Sequence, residues 1–130
     1  MRTLMAAMIA VVLLPARISN PEQHKFPTVS ADTVTLREVR RASEIGAVTE
    51  LADSPGTLLV ERPVDAREEA LSSVFIVDEE RVLLRRVPVS YGRASAALIQ
   101  IVSGLSARDR IVVSDMRAWD AFERLRIRWR

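Results

Sequence analysis

The chain has 130 residues, 48% of them hydrophobic and 28% charged, which fits one globular domain and excludes both a disordered chain and two full-sized domains. Lys and Arg number 19 against 17 Asp and Glu, a net charge of +2, so the sequence pI near 9.9 reflects arginine, Lys25 being the sole lysine. A balance this close to neutral argues against a nucleic-acid partner, and the absence of cysteine excludes disulfides, thiolate zinc sites and thiol nucleophiles.

Arg2 is followed by an uncharged apolar run, Thr3–Ala16, and the next charge is Arg17. The run is shorter than the ~20 residues of a spanning helix and matches a secretory hydrophobic region, although Leu14 is bulky for a cleavage site after Ala16. Residues 1–18 are therefore read as a signal peptide or a membrane anchor, either of which implies export. Pro15 and the polar stretch Ser19–Lys25 argue against a buried helix, and residues 19–27 are read as a linker.

From residue 28 the pattern is that of strands. Thr33, Thr35 and Arg37 alternate with Val34 and Leu36, which predicts a half-buried strand over Thr33–Arg37, and Gly46 favours extending the β reading through Glu38–Glu44. Ala52–Gly56 is a turn by composition, Thr57–Arg62 a strand stopped by Pro63, and Asp65–Ala70 a solvent-exposed connection. Ser73–Val77 and Arg81–Tyr91 form a hairpin about the polar Asp78-Glu79-Glu80, with Pro88 marking an edge or a bulge. Leu98–Val102 and Ile111–Val113 read as a second hairpin. Leu105, apolar within its polar connection, is expected to plug the open end of the core, since leaving it wet forgoes roughly 1.5–3 kcal/mol.

Ser114-Asp115 can cap a short helical turn through Trp119–Glu123. In the last strand Leu125, Ile127 and Trp129 share one face, with Trp119 expected to be buried against the first two, and Arg124, Arg126, Arg128 and Arg130 share the other. There are no internal repeats. Residues 28–130 are expected to form an all-β sandwich or small barrel, preceded by the hydrophobic signal or anchor helix.

Little in the chain suits an enzyme, a metal or a cofactor. His24, the sole histidine, lies in the linker without an orienting partner, and Asp78, Glu79 and Glu80 lack the glycine and the ligand spacing of a calcium loop. Asp115 and Asp120 suit capping or pairing with arginine, Ser114 is not in a nucleophile elbow, and Gly92 and Gly104 form no phosphate cradle. The terminal arginine ladder reads first as a solvated edge strand that discourages aggregation, and second as a contact for anionic lipid head groups or an acidic partner rim.

Several residues carry a resemblance when taken in order: Val60 with Arg62-Pro63-Val64, Ser73-Val74-Phe75, Val87-Pro88-Val89 with Gly92-Arg93, Ser103-Gly104-Leu105 with Asp109-Arg110, and Ser114-Asp115-Met116 with Trp119-Asp120 and Arg124. Together they resemble the periplasmic adaptor subunits of bacterial tripartite efflux pumps, the membrane fusion proteins of the HlyD type. The resemblance is best supported over residues 57–128, and Phe26–Val29, Asp32–Val34 and Val39–Arg41 are similar to the stretch that follows the family's membrane anchor.

The resemblance implies a membrane-proximal β domain in which the first and last strands meet. It also implies a periplasmic location tethered to the cytoplasmic membrane, an inner-membrane RND or ABC transporter as partner, and room for self-association. The barrel, lipoyl-like and helical-hairpin regions that separate the chain ends in the family have no counterpart here, as no coiled-coil heptad run is present. The implied role is docking without bridging; the alternative is a standalone periplasmic β domain that binds a soluble ligand or an envelope protein. Arg108 stands where the family usually has glycine, so a left-handed backbone there would cost roughly 1–2 kcal/mol.

Overall fold

A computed structural model describes residues 26–46 and 51–129. The expected signal or anchor segment, the linker through residue 25 and Arg130 lie outside the described residues. Nine strands form one sheet: β1 (Thr28–Ser30), β2 (Leu36–Glu38), β3 (Arg40–Arg41), β4 (Leu58–Glu61), β5 (Leu71–Val77), β6 (Leu83–Ala94), β7 (Leu98–Ser103), β8 (Arg110–Val112) and β9 (Arg124–Arg128). A single helical turn, α1 (Ala42–Ile45), and 3-10 turns at Ala31–Thr33 and Arg117–Trp119 complete it. No helix among the described residues is long and apolar enough to cross a membrane.

The two-residue period of the strands places the core on both faces of the sheet. On β5, Val74 belongs to one apolar cluster and Phe75 and Val77 to another; on β8, Ile111 and the following Val113 join the first cluster while Val112 joins the second. Continuous apolar runs such as Val74–Val77 and Ile111–Val113 are what a strand buried on both faces requires.

The strand order is β2-β8-β5-β6-β7-β4-β3. Its two ends, β2 and β3, are separated in the chain by Val39 alone, so residues 36–41 pair with β8 through their first half and with β4 through their second. The sheet thereby returns to its starting point as a nearly closed barrel. Val39, fully buried at this closure, exchanges backbone hydrogen bonds with the loop before β8, donating to the Asp109 carbonyl at 2.8 Å and accepting from the Arg108 N–H at 2.7 Å. Arg37 and Glu61 pair across the same junction at 2.7 Å.

β9 and β1 form a flap on the other face. The first part of β6 pairs antiparallel with β9, and β9 pairs in parallel with β1, so that Val29, Leu84, Leu125 and Ile127 close the second cluster. The early strands therefore meet the last ones twice, β1 on β9 and β2 on β8.

Several expectations are corrected. The strand predicted over Thr33–Arg37 begins only at Leu36, because Ser30 Oγ accepts from the Asp32 N–H and Thr33 Oγ1 donates to the Ser30 carbonyl, folding Ala31–Thr33 into a 3-10 turn. Gly46 does not extend a strand: it ends α1 with φ +76°. Leu98–Val113 is not a hairpin. Both sides of β7 are taken, by β6 and β4, and β8 lies between β2 and β5. Leu105 does plug the core as expected, at 8% exposure.

Pro88 is neither on an edge strand nor in a shifted pair. It pairs with Ser73 on β5, and on its other side it falls between the β9 contact at residues 83–85 and the β7 contact that starts at Ser90, where no N–H is required. Ala66, in the connection read as solvent-exposed, is buried in the first cluster, and its carbonyl accepts from the Arg62 guanidinium. The helical turn after Asp115 covers Arg117–Trp119 rather than Trp119–Glu123. Trp119 is half-buried on the second cluster, and Trp129 is exposed beyond the end of β9, its indole N–H donating to the Arg81 carbonyl. β9 itself is an interior strand.

Tyr91, the sole tyrosine, lies in the first cluster at 3% exposure, and its phenol is pushed up to about 12 by burial first and by the Asp65 carboxylate second. The fold favours the protonated phenol, so this contribution to stability is complete below pH 10 and is lost as pH rises through about 12. A phenolate absorbance titration of the native chain is expected to show a single midpoint near 12, whereas a midpoint near 10 would place the ring in solvent.

Candidate functional site

The residues of the sequence motif fall into three groups, each tying a loop to the barrel. At Gly92, β6 bulges against β7, and a Cβ there would stand 2.9 Å from Gln100 Cδ. Glycine lets the Gln100 side chain lie flat across the strand. Its Oε1 accepts from the Arg93 N–H at 3.1 Å, its Nε2 donates to Asp53 Oδ2 at 3.1 Å, and the Arg93 guanidinium pairs with the same carboxylate. Gly92 and Arg93 thus anchor the turn of residues 52–56.

The second group is the crossing from β7 to β8. Gly104 has φ +103°, and a Cβ on it would lie 2.9 Å from Val89 Cα. Asp109 Oδ2 accepts from the Ser106 N–H at 2.8 Å, fixing the turn that drives Leu105 inward. Arg108 adopts φ +82°, so it carries the strain of about 1–2 kcal/mol anticipated for a side chain at a glycine position.

The third group follows β8. Ser114 Oγ accepts from the Thr35 N–H at 3.1 Å and donates to the Thr33 carbonyl at 3.4 Å, clamping the segment before β2 onto the end of β8. Asp115 takes both the backbone N–H and the guanidinium of Arg117. Those bonds, side chain first and backbone second, hold its carboxyl down to about 2. Met116 is buried in the second cluster, while Asp120 is exposed and closes the 3-10 turn through its N–H to the Arg117 carbonyl.

Arg86, which no sequence pattern singles out, organises this third group. Its guanidinium donates to the carbonyls of Phe122 at 3.0 Å and Trp119 at 2.9 Å and to Ser73 Oγ at 3.0 Å, and it lies 4.4 Å above the Phe75 ring. Its side chain is 16% exposed. Only the alternation of β6 distinguishes it from the exposed Arg85.

The arginine ladder lies apart from these groups. Arg124, Arg126 and Arg128 are all exposed on β9, and the described residues include no cluster of three or more side chains able to hold a metal ion. Among the large apolar residues, Leu71 on β5, Val64 after β4 and Val102 on β7 are the most exposed, at 84%, 65% and 63%. Compared with known proteins, the chain has no significant match to a family model, a curated protein or a solved structure.

Proposed function

We propose that the chain is a non-catalytic docking domain of the efflux-adaptor type, exported to the periplasm and seated against the periplasmic face of an RND or ABC transporter. The observation that carries the reading is the double meeting of chain ends, β1 with β9 and β2 with β8. That arrangement is what the resemblance implies for a membrane-proximal domain, and the Ser114–Asp120 motif serves it directly: Ser114 holds the early segment, while Met116 and Trp119 pack beneath the flap. Lacking a heptad run to reach an outer-membrane channel, the domain docks without bridging.

Recovery of the tagged full chain from a cross-linked bacterial envelope tests this. An RND or ABC permease is expected in the cross-linked product. Recovery of a soluble envelope protein in its place would contradict the proposal and assign the chain as a standalone periplasmic binding domain.

A further inference from the structure

We infer that the outer face of the β6-β9-β1 flap binds an anionic phospholipid surface. The pairing register puts Leu83 and Arg85 of β6, Arg124, Arg126 and Arg128 of β9, and Thr28 and Ser30 of β1 on one side, with Leu84, Leu125, Ile127 and Val29 buried on the other. Four of these seven outward positions are arginine and none is acidic. Arg85 stands directly opposite Arg124, a like-charge cross-strand pair that opposes folding.

Among the described residues, no carboxylate pairs with these arginines to relieve it. Seven of the eleven arginines elsewhere in the described residues form ion pairs, against none of the four on this face. Within the described residues, no carboxylate lies within 4.0 Å of the guanidinium groups of Arg85, Arg124, Arg126 or Arg128, and Arg124 instead lies 5.7 Å over the Phe26 ring. Asp78, whose Oδ1 accepts from the N–H groups of Val82 and Leu83, lines one hollow with Arg85 and Arg124 but forms no ion pair within 4.0 Å with either. An exposed cationic face whose arginines have no ion-pair partner among the described residues matches a charged lamella, which supplies many phosphates at once.

The chain's own layout favours a bilayer over other polyanions. The apolar run Thr3–Ala16 ends ten residues before Phe26, at the start of this face. Ten residues span at most about 35 Å, so a chain whose run enters a bilayer keeps the face close to its surface. Trp129 with Arg81 stacked 4.9 Å over its ring, at the end of β9, adds the amphipathic aromatic favoured at a membrane interface.

The test is partitioning of the full chain onto phosphatidylcholine vesicles with and without phosphatidylglycerol; the neutral vesicles account for insertion of the apolar run. Each charge near such a surface is worth roughly fivefold in partitioning. The triple variant Arg85→Gln, Arg126→Gln, Arg128→Gln is expected to lose on the order of 100-fold of the preference for anionic vesicles, and the corresponding triple lysine variant to retain it. Arg126→Gln alone should lose about fivefold and provides a milder second variant. Preference unchanged in the triple glutamine variant would overturn the inference, as would tighter binding of a single-stranded DNA oligonucleotide than of the anionic vesicles. The vesicles contain no permease, so failure here leaves the transporter proposal standing, and failure to capture a permease leaves this one standing.

Discussion

Gly104→Ala is expected to lower the thermal midpoint more than any other single-methyl change in the chain. Two effects act together at this position. At φ +103° an L side chain is strained, an effect worth about 1–3 kcal/mol. The added methyl would also stand 2.9 Å from Val89 Cα, a backbone atom in an interior strand that cannot rotate away, which adds roughly 1–3 kcal/mol of overpacking. The expected loss is about 4 kcal/mol, a drop on the order of 15 °C or more. Gly46→Ala separates the two effects. Its φ of +76° is also left-handed, but nothing lies within 4 Å of the added carbon, so only about 1 kcal/mol should be lost. Equal losses at the two glycines would show that β7 does not approach β6 as described.

Arg86→Ala is expected to cost about 3–4 kcal/mol in urea unfolding, and its signature is local. The substitution leaves the part-buried carbonyl of Trp119 unsatisfied, at roughly 1–3 kcal/mol, releases the exposed carbonyl of Phe122 to solvent, at about 1 kcal/mol or less, and removes the cation from the Phe75 ring. The segment over residues 117–123 should then loosen, with Trp119 emission shifting toward that of exposed indole before the barrel unfolds. Arg86→Lys keeps the charge but not the planar fork, so it should restore less than half of the loss. A stability within 0.5 kcal/mol of the parent, the range of an ordinary surface substitution, would mean that the segment is held by packing alone.

The sequence made the class of fold legible because its signals are local. The alternation of Arg124–Arg128, the apolar residue at Leu105 and the turn residues at Ala52–Gly56 each gave the right local result. Partner choice was less legible. Leu98–Val102 and Ile111–Val113 look like a hairpin by spacing, but hairpin pairing loses where β4 and β6 already occupy both edges of β7. Pro88 marks a place without a hydrogen-bonded neighbour, and sequence alone cannot tell a sheet edge from a change of partner within a long interior strand. The motif residues stand out by type and order, whereas their work as loop anchors depends on Gln100, Asp53 and Arg86, ordinary polar residues that no pattern singles out.

Both the docking proposal and the lipid-facing flap depend on the early segment completing the barrel that the later strands build. A nuclear Overhauser spectrum of the folded chain reads this directly, since opposed Cα atoms in antiparallel strands lie about 4.5–5.5 Å apart. Cross-strand contacts are predicted from residues 36–38 to 110–112 and from residues 40–41 to 58–59 in the same molecule, together with contacts between Val29 and Ile127. Contacts from residues 36–41 to only one of those two strands, or residues 28–30 without a neighbour in β9, would contradict it.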